Sequence, residues 1–282
     1  MGELIPLFPL GSPLFPGTVL PLVIFEPRYR RLVRDLLAHP AGSDERFFGV
    51  VAIRQGWEVE QVSPAEALYD VGCTARLQGV RELGDGRFRI VTVGAERFRL
   101  LDVVVGDEPP YLQGEVEWLA EEEAAEEAAG DAEGLVGQAG DDVAAEVARA
   151  SMSVLVRGVR DLFNRYVTEV AVLRGGGWAP GDDEDLDPDL ADDSDSPESL
   201  TVGAQTAELL RQVAGDPRAL SWLVASGALL TTEDRQALLA ISATRRRLAA
   251  ESRLLRRELT VLRELGAVPV PLQQFATPMT VN

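Results

Sequence analysis

The stretch LIPLFPLGSPLFPGTVLPLVIFEPRYRRLVRDLL, residues Leu4–Leu37, decides the expected fold. Its first part alternates short apolar runs with prolines, which interrupt strand pairing and keep strands short. From Pro27, which suits a first helical turn, apolar residues recur at helical spacing. The pattern predicts short strands, among them Leu20–Ile24, and then a helix that ends near His39-Pro40.

Several short apolar strands follow this helix at close spacing. Asp85-Gly86 stands between two of them and is a strong hairpin signal, because glycine tolerates the positive φ that such turns require. Closely spaced short strands favour a barrel or a sandwich. The predicted strands are Phe47–Arg54, Val71–Leu83, Arg87–Val93, Arg97–Val105 and Tyr111–Leu119.

The rest of the chain reads mainly as helices. One helix is expected to begin near Asp141 and end at the glycines from Gly175. Thr231 and Asp234 fit a capping box before another helix. The last helix, from about Ala243 to Leu265, carries a leucine stripe, which usually marks core packing but also suits a coiled-coil seam between two copies. The stripe consists of Leu248, Leu255, Leu259, Leu262 and Leu265.

The net charge of −19 lies in the middle of the chain, where residues 115–200 hold 24 acidic residues and 5 arginines. The run GDDEDLDPDLADDSDSPES (181–199) repels itself and lacks apolar surface, which favours a flexible linker. An acidic docking tail is the alternative. The expected divisions are a β-rich domain at 1–119, an acidic helical or linker segment at 120–200 with a disordered run near 178–199, a helical extension at 201–267 and an irregular tail at 268–282.

Composition excludes several kinds of catalytic site. All 27 basic residues are arginine, so the chain has no lysine for a phosphate-binding loop, a Ser–Lys dyad or a Schiff base. One histidine, His39, and one cysteine, Cys73, argue against a Cys–His pair or a zinc site. His39 lies where a helix is expected to end, and we interpret it as a surface residue. We therefore expect no catalytic residues, no metal and no cofactor.

The expected location is the cytoplasm. The chain has no apolar run of about 18 residues that would suggest a membrane span. Its N-terminus lacks a basic residue and a continuous apolar segment, unlike a signal peptide. The single cysteine fits a reducing compartment.

Leu4–Leu37 resembles the opening of the Lon N-terminal domain family, in which LFPL, FPG, LPL and IFEPRY follow one another. These motifs stand here at Leu7–Leu10, Phe15–Gly17, Leu20–Leu22 and Ile24–Tyr29. The downstream stretch VGCTARLQGVRELGDGRFRIVTVGAERFRLLDV is similar to the family's later strands. The likeness covers about 115 residues, and the third segment is similar more weakly to the helical bundle that follows this domain in Lon proteases.

The resemblance implies an α+β fold, with a PUA-like β pseudobarrel that contains one inserted helix and precedes an α-helical bundle. It also implies recognition of unfolded or tagged polypeptide in protein quality control, without the ATPase and protease domains of full-length Lon. A Lon-type or other ATP-dependent protease is the expected partner, and the last helix suggests a homo-oligomer. Because PUA-like barrels can bind RNA, a nucleic-acid-binding module is the alternative, although the near-neutral barrel speaks against it.

The candidate peptide-binding residues are Phe15, Phe25, Glu26, Arg28 and Tyr29. As the rim of a groove, they would hold an extended peptide that pairs with an open strand edge. The structural alternative is that Glu26 serves the helix start and pairs with Arg28 or Arg30. A third hypothesis, a hydrolase that uses Glu26 and Asp35, has no recognisable carboxylate spacing behind it.

Overall fold

The protein combines a six-stranded mixed sheet with a helical region, which confirms the predicted α+β class. The structure is a computed structural model and describes residues 2–54, 66–106, 108–120, 138–175, 208–213 and 215–266. The predicted acidic run at 181–199, the acidic segment at 121–134 and the tail at 268–282 lie outside the described residues. The strands are β1 (Glu3–Leu10), β2 (Val19–Ile24), β3 (Phe47–Ala52), β4 (Val71–Glu82), β5 (Phe88–Val104) and β6 (Gln113–Trp118), and the helices are α1 (Pro27–Ala38), α2 (Gln138–Gly175), α3 (Pro217–Gly227), α4 (Thr232–Ala240) and α5 (Thr244–Leu265).

The sheet closes on itself. Its order is β2-β5-β4-β3-β1-β6, and a further pairing of β5 with β6 joins five of the strands into a ring. Strand β2 stays outside the ring and pairs with the first part of β5. A closed sheet with one additional strand agrees with the barrel expected from the sequence.

Strand β5 is one continuous strand of 17 residues, so the prediction of two separate strands here was wrong. The intervening residues stay bonded to β4, since Gly94 pairs with Ala75 and the Glu96 N–H donates to the Thr74 hydroxyl at 2.9 Å. What changes along β5 is its other neighbour, which is β2 up to Val93 and β6 from Phe98.

Strand β1 is longer than its prolines suggested. Its first half pairs with β6 and its second half with β3. Pro6 and Pro9 therefore each lie where β1 has a single partner strand, and a residue without an N–H is tolerated there.

The barrel and the helices share a core. Phe15, Phe48 and Ile90 of the β-rich part are buried in the same cluster as Trp222 of α3 and Leu239 of α4. Polar contacts cross the same boundary. The Gln236 side-chain amide donates to the Val71 carbonyl at 2.7 Å, and the Arg97 guanidinium donates to the Leu239 carbonyl at 2.8 Å.

The predicted helix signals hold in part in the structure. The Thr231 hydroxyl accepts a hydrogen bond from the Asp234 N–H at 3.1 Å, so Thr231 is the N-cap of α4, while the Asp234 carboxylate accepts from the Thr231 hydroxyl at 3.0 Å instead of completing a capping box. In α1, five apolar residues fall at helical spacing; Tyr29, Leu32, Val33 and Leu36 are buried, and Leu37 is partly buried against the same core. No helix within the described part of the chain is long and apolar enough to cross a membrane.

The leucine stripe of α5 packs inside the chain. Leu248, Leu255, Leu259 and Leu262 are buried in a cluster that α2 and α3 complete. These four side chains are therefore not available as a seam between two copies. Leu265 was wrongly placed in the stripe, since it is 71% exposed. It is the last residue of α5, and Gly266 after it takes the left-handed conformation.

Candidate functional site

The five predicted peptide-binding residues do not lie on one surface. Phe15 is fully buried, with its ring centroid 5.9 Å from that of Trp222 and the Arg235 guanidinium 5.3 Å away. Its role is to pack the barrel against α3, which corrects its assignment to the rim of a groove.

Tyr29 is also a core residue. Its ring stacks on Phe8 at a centroid distance of 4.1 Å, and only 5% of the residue is exposed. Burial raises the pKa of its hydroxyl, against the charge of Arg28, whose guanidinium lies 4.7 Å from the ring centroid. Because its helical spacing places Tyr29 on the buried face of α1, Tyr29 does not line the rim of a binding groove.

The remaining three predicted residues stand together at the turn between β2 and α1. Phe25 is 64% exposed. Glu26 is the N-cap residue of α1, and its carboxylate accepts from Arg28 Nε at 2.8 Å rather than capping the helix with its side chain. Arg28, not Arg30, is therefore the partner of Glu26 in the described structure.

Strand β2 has an open edge. Antiparallel pairing uses the backbone groups of every second residue. The Gly94 N–H donates to the Thr18 carbonyl at 2.9 Å, so the even-numbered residues of β2 bond to β5. Val19, Pro21 and Val23 therefore turn their backbone groups away from β5, to a side where β2 pairs with no other strand among the described residues. A proline in such a position is typical of an edge strand.

An exposed apolar column runs along this edge strand. Alternate side chains of a strand point to opposite faces, and those of Leu20 and Leu22 pack against the core. The other face presents Val19, Val23 and, just beyond the strand, Phe25, which are 59%, 47% and 64% exposed. The sequence contained this signal, because Pro21 within an apolar strand indicates an edge.

A cleft of about 920 Å³ opens where β5 changes its neighbour from β2 to β6. The barrel side of the cleft includes Val19 and Leu119, and the helical side includes Val213, Trp222 and Leu223. Val19 thus belongs both to the exposed column of β2 and to the wall of the cleft. The sequence offered no signal for the cleft, because its two walls come from distant parts of the chain.

Gly94 is needed beside this cleft. A Cβ atom at this position would overlap the backbone carbonyl of Phe15. The Gly17 N–H donates to the Gly94 carbonyl at 2.8 Å, so the loop before β2 lies directly against β5. Only glycine permits so close an approach of two backbones.

The carboxylates considered for hydrolysis are bound to cationic or hydroxyl groups. Asp35 accepts from Arg31 Nε at 2.8 Å and from the Tyr111 hydroxyl at 3.0 Å. Burial and this bond to Asp35 raise the pKa of Tyr111 to about 12. The Glu26 carboxylate is held by Arg28. Both carboxylates thus serve local structure in this fold.

Other candidate chemistry is sparse in the described part of the chain. No group of three or more His, Cys, Asp or Glu residues could hold a metal ion in that part. His39 follows α1, and its Nδ1 lies 2.8 Å from a Glu45 oxygen at the surface, as the interpretation of a surface histidine requires. Cys73 is fully buried in β4.

Comparisons with known proteins point to one family. The family model of the ATP-dependent protease La (LON) substrate-binding domain matches residues 4–257. Lon protease 1 of Herpetosiphon aurantiacus is 26% identical over 257 residues, which make up 90% of this chain and 24% of that protein. Lon protease of Anaeromyxobacter dehalogenans is 36% identical over 115 residues, or 40% of this chain and 12% of that protein.

Solved structures include the Lon N-terminal domain protein from Xanthomonas campestris. It is 22% identical, with a TM-score of 0.48, and the match covers 90% of this chain and 98% of that one. The chain spans about a quarter or less of the length of the two curated relatives named above.

Proposed function

Because this chain belongs to the family of ATP-dependent protease La (LON) substrate-binding domains, we propose that it binds unfolded or tagged polypeptides and does no chemistry on them. Its place would be protein quality control in the cytoplasm. A Lon-type or other ATP-dependent protease would be its partner and would degrade what it holds.

The open edge of β2 carries this proposal. An extended peptide can pair its backbone with a free strand edge, which gives affinity without demanding a particular sequence. The outward carbonyls of Val19, Pro21 and Val23 and the two N–H groups available there suit such pairing. Exposed apolar side chains beside the edge add contact area for an unfolded chain, which exposes apolar residues of its own.

The cleft extends the same surface. A peptide that follows β2 from Phe25 towards Val19 would reach the cleft that Val19, Trp222 and Leu223 line. A cleft of mostly apolar lining between two parts of a fold is a common place for a ligand side chain. We therefore propose a peptide-binding site along Val19, Val23, Phe25 and this cleft, with Glu26 and Arg28 at its end. The buried residues Phe15 and Tyr29 are not part of it.

Two variants test the edge. Val23→Pro removes an outward N–H without breaking a bond to β5, and Phe25→Ala removes the most exposed aromatic side chain of the column. Each should weaken the binding of an unfolded model protein by about 1–2 kcal/mol, as expected for loss of an interface contact. The measurement is the Kd by fluorescence anisotropy for a labelled, permanently unfolded protein, with its folded form as the comparison.

Val172→Ala in α2 is the matched control, because Val172 is 65% exposed and lies on a helix that packs against α3 and α5. It should bind like the wild type, and all variants should keep the melting temperature of the wild type within a few degrees. If Val23→Pro and Phe25→Ala both retain wild-type affinity, the edge of β2 does not hold the peptide.

The proposal also requires that the chain lack catalytic activity of its own. Without a lysine, it has neither the phosphate-contacting residue of a nucleotide loop nor the base of a Ser–Lys dyad. The purified protein should therefore neither release phosphate from ATP nor cleave casein. Turnover that stays with the monodisperse protein through repeated purification would contradict a purely binding role.

A further inference from the structure

The outer face of the sheet beside β2 carries arginines as well as apolar residues. The strand register places Val23 of β2, Arg89 of β5 and Arg81 of β4 in one row across the sheet. The next row consists of Pro21, Val91 and Gly79. Val91 is 38% exposed, and a Cβ at Gly79 would meet no atom within 4 Å. The face is therefore open above the second row, whereas in the first row Val23 and Arg81 are exposed and Arg89 is partly buried.

Arg81 and Arg89 face each other directly across the β4–β5 ladder. Like charges in this arrangement destabilise a sheet. Neither guanidinium has an ion pair with a carboxylate in the described part of the chain. Arginines beside them do have such partners, since Arg76 pairs with Asp44 and Arg87 with Asp85. The two arginines thus present a positive charge that the described fold does not neutralise.

We propose that this face selects acidic stretches within the polypeptides bound at β2, with Arg89 contacting client carboxylates and Arg81, one strand farther from the edge, adding positive charge. The inference rests on the proposed function. Neighbouring strands lie about 5 Å apart, so a client strand added to the edge would lie about 10 Å from the backbone of Arg89. The side chain of Arg89 and an acidic side chain of the client must together span that distance, which favours glutamate in the client.

The neighbours of the two arginines favour a polypeptide over a nucleic acid. Val19, Val23 and Val91 are exposed and aliphatic, which suits apolar client side chains. Binding of single-stranded nucleic acid depends on aromatic side chains for base stacking. Along this face the described structure offers Phe25 as its exposed aromatic residue. An acidic peptide with interspersed apolar residues is complementary to both features.

The test uses the full chain and two labelled, unstructured peptides. One contains valine, leucine, serine and glutamate, and the other has glutamine in place of each glutamate. The glutamate peptide should bind roughly two- to fivefold more tightly, the range expected for one ion pair at the surface. The preference should shrink as salt is raised, because exposed charges are screened.

The double variant Arg81→Gln/Arg89→Gln should lose this preference and keep the affinity for the glutamine peptide. It should also be at least as stable to heat as the wild type, because it removes a repulsive pair. Arg99→Gln is the matched control, since Arg99 is an exposed arginine of β5 that already lies 3.5 Å from Glu117. This control should keep the preference.

Each other outcome overturns the inference in a recognisable way. If the wild type binds both peptides equally, charge does not select clients, although the proposed function stands. If the double variant binds the glutamine peptide more weakly as well, the arginines support binding in general. If an RNA oligonucleotide binds and the double variant abolishes that binding, the face is a nucleic-acid surface. If neither peptide binds and the unfolded protein is also not bound, the proposed function itself has failed.

Discussion

Replacing Trp222 by alanine is expected to lower the free energy of unfolding by about 3–5 kcal/mol, the usual range for removing a buried aromatic side chain. Trp222 lies 96% buried between the barrel and the helices. The Arg247 guanidinium stacks 3.4 Å from its ring centroid, and the guanidinium of Arg97 lies 5.5 Å away. Phe15 packs against the ring from the barrel. The substitution therefore leaves a cavity and removes a stacking partner from two buried cations, which are costly to bury without compensation.

The measurement is chemical denaturation followed by circular dichroism, compared with Trp118→Ala. Trp118 is 37% exposed, and its indole N–H donates to Glu3 at 2.8 Å at the surface. This control also removes one tryptophan but should cost no more than about 1–2 kcal/mol, because less apolar area is lost. Equal losses in the two variants would show that Trp222 does not join the barrel to the helices.

Much of the fold follows from local patterns in the sequence. Asp85-Gly86 predicted the hairpin between β4 and β5, and Gly86 has the positive φ that this turn requires. The spacing of apolar residues from Pro27 predicted both the limits and the buried face of α1. These features depend on residues close together in the chain, where turn chemistry and helical periodicity decide the outcome.

Arrangements that depend on distant residues did not follow. Arg97 begins one of the predicted strands, and the structure buries this charged residue to 1% exposure. It donates to the Leu239 carbonyl, more than a hundred residues away, and a sequence pattern carries no trace of such a partner. Arg247 likewise reads as one arginine of a charged helix face but is fully buried beneath α3.

Only part of the candidate site could be predicted from the sequence, again because local features are predictable and contacts between distant residues are not. The exposed position of Phe25 and the pairing of Glu26 with Arg28 are local and were among the interpretations considered. Phe15 was wrongly assigned to the rim of a groove, because its burial depends on its contact with Trp222, and no sequence pattern indicates that contact. Tyr29 was misplaced although its helical spacing with the apolar residues of α1 already favoured the core.

Glu251 introduces a pH dependence into this buried junction. It is 1% exposed, and its Oε1 accepts from the Ser221 hydroxyl at 2.7 Å. Burial raises the pKa of the Glu251 carboxyl from 4.5 to about 8, although the Ser221 hydrogen bond and the charge of Arg247 act to lower it. Between these two values the folded protein holds a proton that the unfolded chain releases. The contribution of Glu251 to the free energy of unfolding should therefore be greatest below about pH 4.5. It should fall as the pH rises from there towards 8 and stay constant above that pH.

Glu251→Gln should remove this dependence, because an amide binds no proton over that range. In the wild type the contribution of Glu251 should approach about 1.4 kcal/mol per pH unit between the two pKa values. Glutamine can still accept from Ser221, so the variant should gain stability over the wild type progressively from pH 5 to pH 8. Denaturant unfolding at several pH values measures the difference, and Glu264→Gln, an exposed position in the last turn of the same helix, is the control. If the stability difference between Glu251→Gln and the wild type stays constant with pH, Glu251 is not the group that takes up the proton.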